Sequence, residues 1–366
     1  ANWADRYGSE HPDQPMILHF VGAAPGSAKW ENICLRIMEE FEDLYEIREE
    51  IPKNSPEDIR RGFATYLHLA ASKIPKGNRC ILVIDALDQI IDDRQGAQEL
   101  MWLPKKMPSK VRLILSTLPG KALEAVKDKG WLKEDDLNLK VTGFEKSERE
   151  GFIKHYLKQK TKSLSRENTD LLVEADQCSN PLYLRTLLDE LCICGNFEKL
   201  SDQIESYLEN KSVPDLFEAV FERWEKDYNK DRENLVQDML KYLWASRQGL
   251  SEQELLEILH RDEEEQLPQG IFATFHAVIE PLLVRRGEFL NFGHRHVAEA
   301  VQNRYFQGEK GNSQEFHKRL GGYFEKKLEE ETSESQGIIS DRLLEELPWQ
   351  WHKAEEWKKL YDFFQN

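Results

Sequence analysis

A chain of 366 residues is long enough for about two to four domains with cores of their own. Its composition, 40% hydrophobic and 32% charged residues, is that of a globular protein, and its formal net charge of −17 argues against an unaided nucleic-acid binder. No apolar run approaches the roughly 18 residues that a membrane-spanning helix needs. The five cysteines lack CxxC spacing, which indicates reduced thiols in a cytoplasmic protein.

Residues 1 to about 145 alternate apolar strands with helical stretches, the pattern of a βαβ domain. The continuous apolar run that ends at Asp85 predicts a strand covered on both faces, as in a parallel sheet flanked by helices. The predicted strands are Met16–Val21, Cys80–Asp85, Val111–Thr117 and Leu137–Val141, and the predicted helices between the first two are Trp30–Ile47 and Pro56–Lys73.

Polar side chains follow two of these strands. Asp85 and Asp88 come at the carboxyl end of one, where open α/β sheets bind their ligands. In nucleoside-triphosphatases an aspartate at this place holds Mg²⁺ beside the phosphates. Ser116 and Thr117, at the end of the next strand, are placed to contact a γ-phosphate or its attacking water. The structural alternative for both pairs is the capping of a turn.

Residues 22–29 (GAAPGSAK) follow the first strand but do not fit a phosphate-binding loop. That loop needs the pattern GxxxxGK[ST], and here Lys29 stands three places after Gly26 and is followed by Trp30. The full pattern occurs nowhere in the 366 residues. We interpret residues 22–29 as an ordinary strand-to-helix turn.

From Ser147 onward the sequence predicts helices. Capping boxes at Ser147–Glu150 and Ser251–Glu254 open two of them, and Pro181 stands at the first position of another. Residues 231–306 read as helices followed by a strand hairpin, a winged-helix layout, and His294 follows that hairpin. A structural histidine is the alternative there. The predicted domains are 1–145 (α/β core), 146–230 (helical), 231–306 (winged helix) and 307–366 (helical linker).

Taken in order, these elements resemble the NACHT-type STAND ATPases over nearly the whole chain. Asp85-Ala86-Leu87-Asp88-Gln89 is similar to the extended Walker B motif, usually aspartate-glycine-any-aspartate-glutamate, and Ser116-Thr117 occupies the sensor position. Asn180-Pro181-Leu182 resembles the proline motif of the helical domain, and Phe292-Gly293-His294 the winged-helix motif. The most similar subgroup is the nephrocystin and telomerase-associated-protein type, with TPR or WD repeats downstream.

The resemblance implies an α/β P-loop NTPase-type parallel sheet core, then a helical domain, a winged-helix domain and C-terminal helices. It implies ATP or ADP and Mg²⁺ as cofactors. Since Gln89 stands where the family has an acidic residue, and an amide cannot take a proton, hydrolysis should be slow. The implied roles are metal binding for Asp85, catalysis for Asp88 and Gln89, γ-phosphate sensing for Ser116 or Thr117, adenine contact for Pro181 and ADP β-phosphate contact for His294.

The implied function is a nucleotide-dependent conformational switch that controls oligomerisation and signalling, with self-association through the core and protein partners on the downstream repeats. The chain is expected to begin just after the P-loop, so that the core is incomplete and residues 1–366 alone are poorly stable and neither bind nor hydrolyse ATP. The alternative is a catalytically inactive ATPase-like interaction scaffold. A DNA-binding winged helix is disfavoured because its predicted recognition helix, Glu252–His260, is acidic.

Overall fold

The computed structural model describes residues 2–23, 26–91, 96–132, 138–193, 200–230, 232–259, 269–307, 312–334 and 339–365. The chain divides into two compact units, Ala1–Lys140 and Val141–Asn366, and each is described by itself. No helix among the described residues is both long and apolar enough to cross a bilayer.

The first unit is built on a parallel sheet of three strands. These are β1 (Met16–Phe20), β2 (Cys80–Asp85) and β3 (Val111–Leu115), in the order β1-β2-β3. The predicted buried strand is therefore the central one, with Leu82 opposite Ile17 on one side and Leu113 on the other. The helices of this unit are α1 (Asn2–Glu10), α2 (Trp30–Tyr45), α3 (Pro56–Lys73) and α4 (Lys121–Asp128).

Helix α3 shows how a cap and an apolar face together determine a helix that the sequence predicts. Ser55 caps it by accepting a hydrogen bond from the backbone N–H of Asp58 (3.1 Å), and Pro56 occupies the first helical position. Its apolar face, which includes Phe63 and Leu67, is fully buried in the same core as β2. Helix α3 has the predicted bounds.

Three strand predictions need correction. The predicted Met16–Val21 ends at Phe20. The predicted Val111–Thr117 ends at Leu115. The N–H of Ser116 still donates to the carbonyl oxygen of Ile84 (3.2 Å), but the carbonyl oxygen of Ser116 accepts from Leu87 in the turn after β2. In the predicted Leu137–Val141, Leu137 lies outside the described residues and residues 138–141 form no strand. Leu139 and Val141 are 88% and 94% exposed, and no strand described here pairs with them. Alternating apolar residues become a ladder only where a partner strand satisfies their backbone groups.

The second unit begins with helices. Helix α5 starts at Lys146, two residues earlier than the predicted capping box implies, because Glu145 and Glu148 form the box in place of Ser147 and Glu150. Arg149, a buried residue of the predicted box, donates to the carbonyl oxygens of Phe144, Val173 and Ala175. The helices up to residue 228 are α5 (Lys146–Gln159), α6 (Arg166–Glu174), α7 (Pro181–Ile193), α8 (Leu200–Leu208) and α9 (Val213–Tyr228).

A small antiparallel sheet follows among further helices. It has the order β4-β6-β5, with β4 (Leu250–Ser251), β5 (Leu283–Arg286) and β6 (Phe289–Phe292). The hairpin of β5 and β6 was predicted, whereas the two-residue β4 was not. The helices here are α10 (Leu235–Ala245), α11 (Glu252–Leu259), α12 (Gln269–Ile279) and α13 (Arg295–Phe306). Helix α13 was missed because the sequence offers no capping box before it.

The last helices are α14 (Ser313–Glu334), α15 (Asp341–Lys353) and α16 (Trp357–Gln365). Helices α14 and α15 approach closely, since a Cβ atom on Gly321 would lie 2.4 Å from the ring of Trp351. Trp351 is 2% exposed, so its indole ring lies in the core of this unit.

Candidate functional site

The acidic residues lie at the carboxyl edge of the parallel sheet. Ile84 pairs with Leu115, so β2 and β3 end side by side and Ser116 lies next to Asp85. The Ser116 hydroxyl donates a hydrogen bond to Asp85 Oδ1 and accepts one from the backbone N–H of Ala86 (2.8 Å). The side chain that follows β3 thus fixes the carboxylate that ends β2.

A tight turn connects Asp85 to the second carboxylate. Ala86 has φ 61° and ψ 51°, the left-handed conformation, and Leu87–Gln89 then form one 3₁₀ turn. The backbone N–H of Leu87 donates to the carbonyl oxygen of Ser116 (2.9 Å). The turn brings Asp88 back towards β3, where its Oδ1 accepts a hydrogen bond from the N–H of Leu118 (3.0 Å). Both carboxylates are therefore held by the residues that follow β3.

The other predicted residues of this unit lie on the same two loops. Gln89 ends the 3₁₀ turn and is exposed. Thr117 is half-buried, and its hydroxyl donates to the carbonyl oxygen of Leu118 (3.0 Å). The structure thus gathers Asp85, Asp88 and Ser116 through direct hydrogen bonds, with Gln89 and Thr117 as their chain neighbours.

The donor set at this edge fits a magnesium ion that is shared with phosphate groups. Mg²⁺ prefers oxygen ligands and is usually bound by one or two carboxylates together with substrate phosphates and water. Asp85 and Asp88 offer two half-buried carboxylates, each with one oxygen already oriented by a hydrogen bond. No group of three His, Cys, Asp or Glu side chains in the described ranges is arranged to hold a metal by itself. The edge therefore suits Mg²⁺ only alongside another set of oxygen ligands.

Pro181 and His294 belong to the second unit, and both stand at helix starts. Pro181 is exposed at the first position of α7, where Asn180 Oδ1 accepts from the N–H groups of Leu182 (2.9 Å) and Tyr183 (3.3 Å). His294 caps α13, and its Nδ1 accepts from the N–H of His296 (3.3 Å). Pro181 and His294 thus each take part in starting a helix.

The protonation of His294 follows from its surroundings. Burial, together with the neighbouring His296 and Arg295, lowers the pKa of His294. The imidazole is therefore neutral at pH 7, and since Nδ1 accepts a hydrogen bond, its proton is on Nε2. His294 is thus a neutral N–H donor at the start of a helix.

Sequence reasoning missed two parts of the carboxylate edge. The left-handed Ala86 sets the direction of the turn, and the signal for it was present, because the resembling motif has glycine at this place. The Leu118 N–H is a backbone group, which no residue type reveals. An open cleft of about 430 Å³ in the same unit is lined by other residues, among them Lys105, Lys121 and Lys129.

With this geometry in place, we compared the chain with known proteins. No family model matches it. A TPR repeat-containing protein of Dictyostelium discoideum is 27% identical over 400 residues, an alignment that covers all of this chain and 23% of that protein. The NACHT and WD repeat domain-containing protein 2 of Mus musculus is 24% identical over 342 residues, covering 88% of this chain and 19% of that protein.

The chain is similar to NACHT-domain and TPR-repeat proteins. This finding confirms the NACHT-like resemblance, whereas the narrower subgroup stays a prediction. The chain spans less than a quarter of the length of these two relatives. Among solved structures, a Walker-type ATPase of Pyrococcus abyssi is 12% identical to the chain, with a TM-score of 0.33. The superposition covers 80% of this chain and 85% of that ATPase, and it is too loose to carry an argument.

Proposed function

We propose that this NACHT-like chain is the core of a nucleotide-dependent conformational switch, in which exchange of ADP for ATP controls self-association and signalling. The observation that carries the proposal is the pair of carboxylates, Asp85 and Asp88, oriented by the residues after β3 at the carboxyl edge of the parallel sheet. This is the edge at which open α/β folds bind their ligands. The NACHT-like relatives support the same class of function.

In this proposal Asp85 holds Mg²⁺ and Asp88 supports it, and the ion neutralises charge on the nucleotide phosphates. Gln89 orients a water but cannot deprotonate it, so hydrolysis is slow. Ser116 or Thr117 contacts the γ-phosphate. Residues 1–366 contain no GxxxxGK[ST] pattern, so none of them is assigned the role of the phosphate cradle.

The family resemblance assigns the contacts that distinguish the two nucleotides to Pro181 and His294. Pro181 packs against the adenine, and the neutral His294 donates from Nε2 to the β-phosphate of ADP. Pro181 lies in the proposed helical domain (146–230) and His294 in the proposed winged-helix domain (231–306), and residues 307–366 form the proposed helical linker. A switch of this kind works only if ADP and ATP differ in their affinity for the two states, since equal affinities shift no population.

The alternative is a catalytically inactive scaffold with an ATPase-like fold. Gln89 favours it, because the residue that would activate water is an amide. The net charge of −17 would then serve recognition of protein partners through an acidic surface. Partners on downstream repeats are compatible with both functions.

Nucleotide binding by the full-length protein tests the proposal. Isothermal titration with ATP and ADP in Mg²⁺ should show binding that Asp85→Ala weakens at least about tenfold, because the variant removes the metal ligand. Asp43→Ala, which removes an exposed aspartate of α2, is the matched control and should bind like the parent. Full-length protein that binds neither nucleotide supports the scaffold. ATP binding by residues 1–366 alone, abolished by Asp85→Ala, contradicts a proposal in which none of these residues forms the phosphate cradle.

A further inference from the structure

Helix α15 carries polar side chains where a packed helix normally carries apolar ones. Glu346 and Gln350 are both fully buried, one helical turn apart on the same face. On that face they alternate with Leu343 and Leu347, which are each 1% exposed. A buried carboxylate and a buried amide need a specific set of partners, since an unpaired buried polar group is costly.

The partners of Glu346 and Gln350 lie on other segments of the chain. Glu346 Oε1 accepts hydrogen bonds from the backbone N–H of Arg247 (2.8 Å) and from Gln350 Nε2 (2.7 Å). Gln350 Nε2 also donates to the carbonyl oxygen of Ala245 (3.0 Å), and Gln350 Oε1 pairs with Nδ1 of the buried His317 on α14 (2.7 Å). Two side chains of α15 thus contact the end of α10, the turn that follows it, and α14.

Arg342 extends this network by one turn of α15. Its guanidinium donates to Glu346 Oε2 (3.1 Å), to the carbonyl oxygen of Gly249 (2.7 Å) and to both carboxylate oxygens of Glu254 on α11 (3.2 and 3.1 Å). It also lies over the ring of Phe289 on β6, 4.2 Å from the ring centroid. Arg342 therefore joins α15 to the first turn of α11 and to the small sheet.

The Arg247 N–H and the Gly249 carbonyl oxygen of this network belong to a turn whose backbone has little conformational freedom. Gly249 has φ +94°, and a Cβ atom there would lie 2.3 Å from the carbonyl oxygen of Leu290. Withdrawal of α15 would leave the Arg247 N–H and the carbonyl groups of Ala245 and Gly249 without their side-chain partners. Loss of several buried hydrogen bonds at once favours docking that is either complete or absent.

The buried charges indicate that this network determines the position of α15 more than it increases the free energy of unfolding. Burial raises the pKa of Glu346, while Arg342 and the hydrogen bonds of the carboxylate act against that rise. A buried ion pair often stabilises no more than an apolar pair of the same shape, but removal of one partner is costly. Such a network therefore holds α15 in one position.

We propose that Arg342, Glu346 and Gln350 form a latch that couples α15 to the segment 245–254. Helix α15 is then either docked on this segment with all of these hydrogen bonds formed, or released with all of them broken. Helices α14 and α15 then move together with the small sheet of β4, β5 and β6, so a displacement of that sheet also displaces α15. The latch rests on contacts inside the second unit and does not depend on nucleotide binding.

Hydrogen exchange followed by mass spectrometry tests the latch on the full-length protein. Glu346→Gln keeps the size of the side chain but removes the charge that pairs with Arg342. The exchange rates of segments 245–254 and 341–353 should rise together, by about tenfold or more. Glu329→Gln, the same change at an exposed position of α14, is the control and should leave both segments at the parent rates. A rise confined to 341–353, or no difference from the control, overturns the latch.

A second measurement needs no substitution. In a series of low urea concentrations, the unsubstituted chain should show the same denaturant dependence of exchange for 245–254 and 341–353, because coupled segments open in one event. Different dependences for the two segments would refute the latch even if Glu346→Gln prevented folding.

Discussion

Substitution of Ala86 by glycine should stabilise the first unit or leave it unchanged, although glycine usually destabilises. Ala86 has φ 61° and ψ 51°, and a left-handed backbone costs a residue with a Cβ atom about 1–2 kcal/mol. Glycine avoids this strain but loses about 0.5–1 kcal/mol more in backbone entropy on folding. The difference predicts a gain in the free energy of unfolding of about 0–1.5 kcal/mol.

Urea unfolding of the full-length protein, followed by hydrogen exchange of peptides from the first unit, measures this change. Ala64→Gly is the matched control, because Ala64 lies in the middle of α3 with ordinary helical geometry and should lose about 1 kcal/mol. The midpoint of Ala86→Gly should therefore lie above that of Ala64→Gly at an unchanged slope. If both variants lose the same stability, the left-handed conformation of Ala86 is not strained and the reasoning fails.

Three further predictions follow from single positions. Gly249→Ala should destabilise the second unit by more than about 2 kcal/mol in urea unfolding, whereas Gly287→Ala, also at positive φ (+65°) but with no atom within 4 Å of the added Cβ, should cost about 1 kcal/mol. Gly321→Ala should destabilise the second unit, because the added Cβ clashes with an indole ring of α15. Gly322→Ala has open space around the added Cβ, so the helix propensity of alanine should increase the free energy of unfolding by about 1 kcal/mol and raise the thermal midpoint. Burial lowers the pKa of His19, so the unfolded chain binds more protons than the folded one, and the urea midpoint of the first unit should fall as pH drops below about 6.5. His19→Gln should flatten this pH dependence. An unchanged pH profile in that variant would exclude His19 as its source.

The elements with strong apolar periodicity could be predicted from the sequence. The buried run Cys80–Asp85 and the capped helix Pro56–Lys73 have the predicted bounds, because composition and caps alone determine them. Residues 138–141 show the limit, since an alternating pattern does not say whether a partner strand exists. Helix α13 was missed for a related reason, because tertiary packing of Val297, Ala300 and Val301 stabilises it more than any local signal does.

The site divides in the same way. Residue type and strand position identified Asp85 and Asp88, since carboxylates after a buried strand are visible in sequence. The hydrogen bonds that orient these carboxylates depend on the register between β2 and β3, which places Ser116 beside Asp85. Register is a property of the assembled sheet, so no reading of either strand alone reveals it.

The Ser116 hydroxyl carries a single hydrogen atom, and that atom is already committed. Its oxygen accepts from the N–H of Ala86, and its hydrogen points to Asp85. Ser116 therefore cannot donate to a third group while it donates to Asp85, so the two interactions exclude each other in time. Any event in which Ser116 turns its hydrogen elsewhere therefore removes the hydrogen bond to Asp85 Oδ1, so the contacts of Ser116 and the orientation of this carboxylate change together.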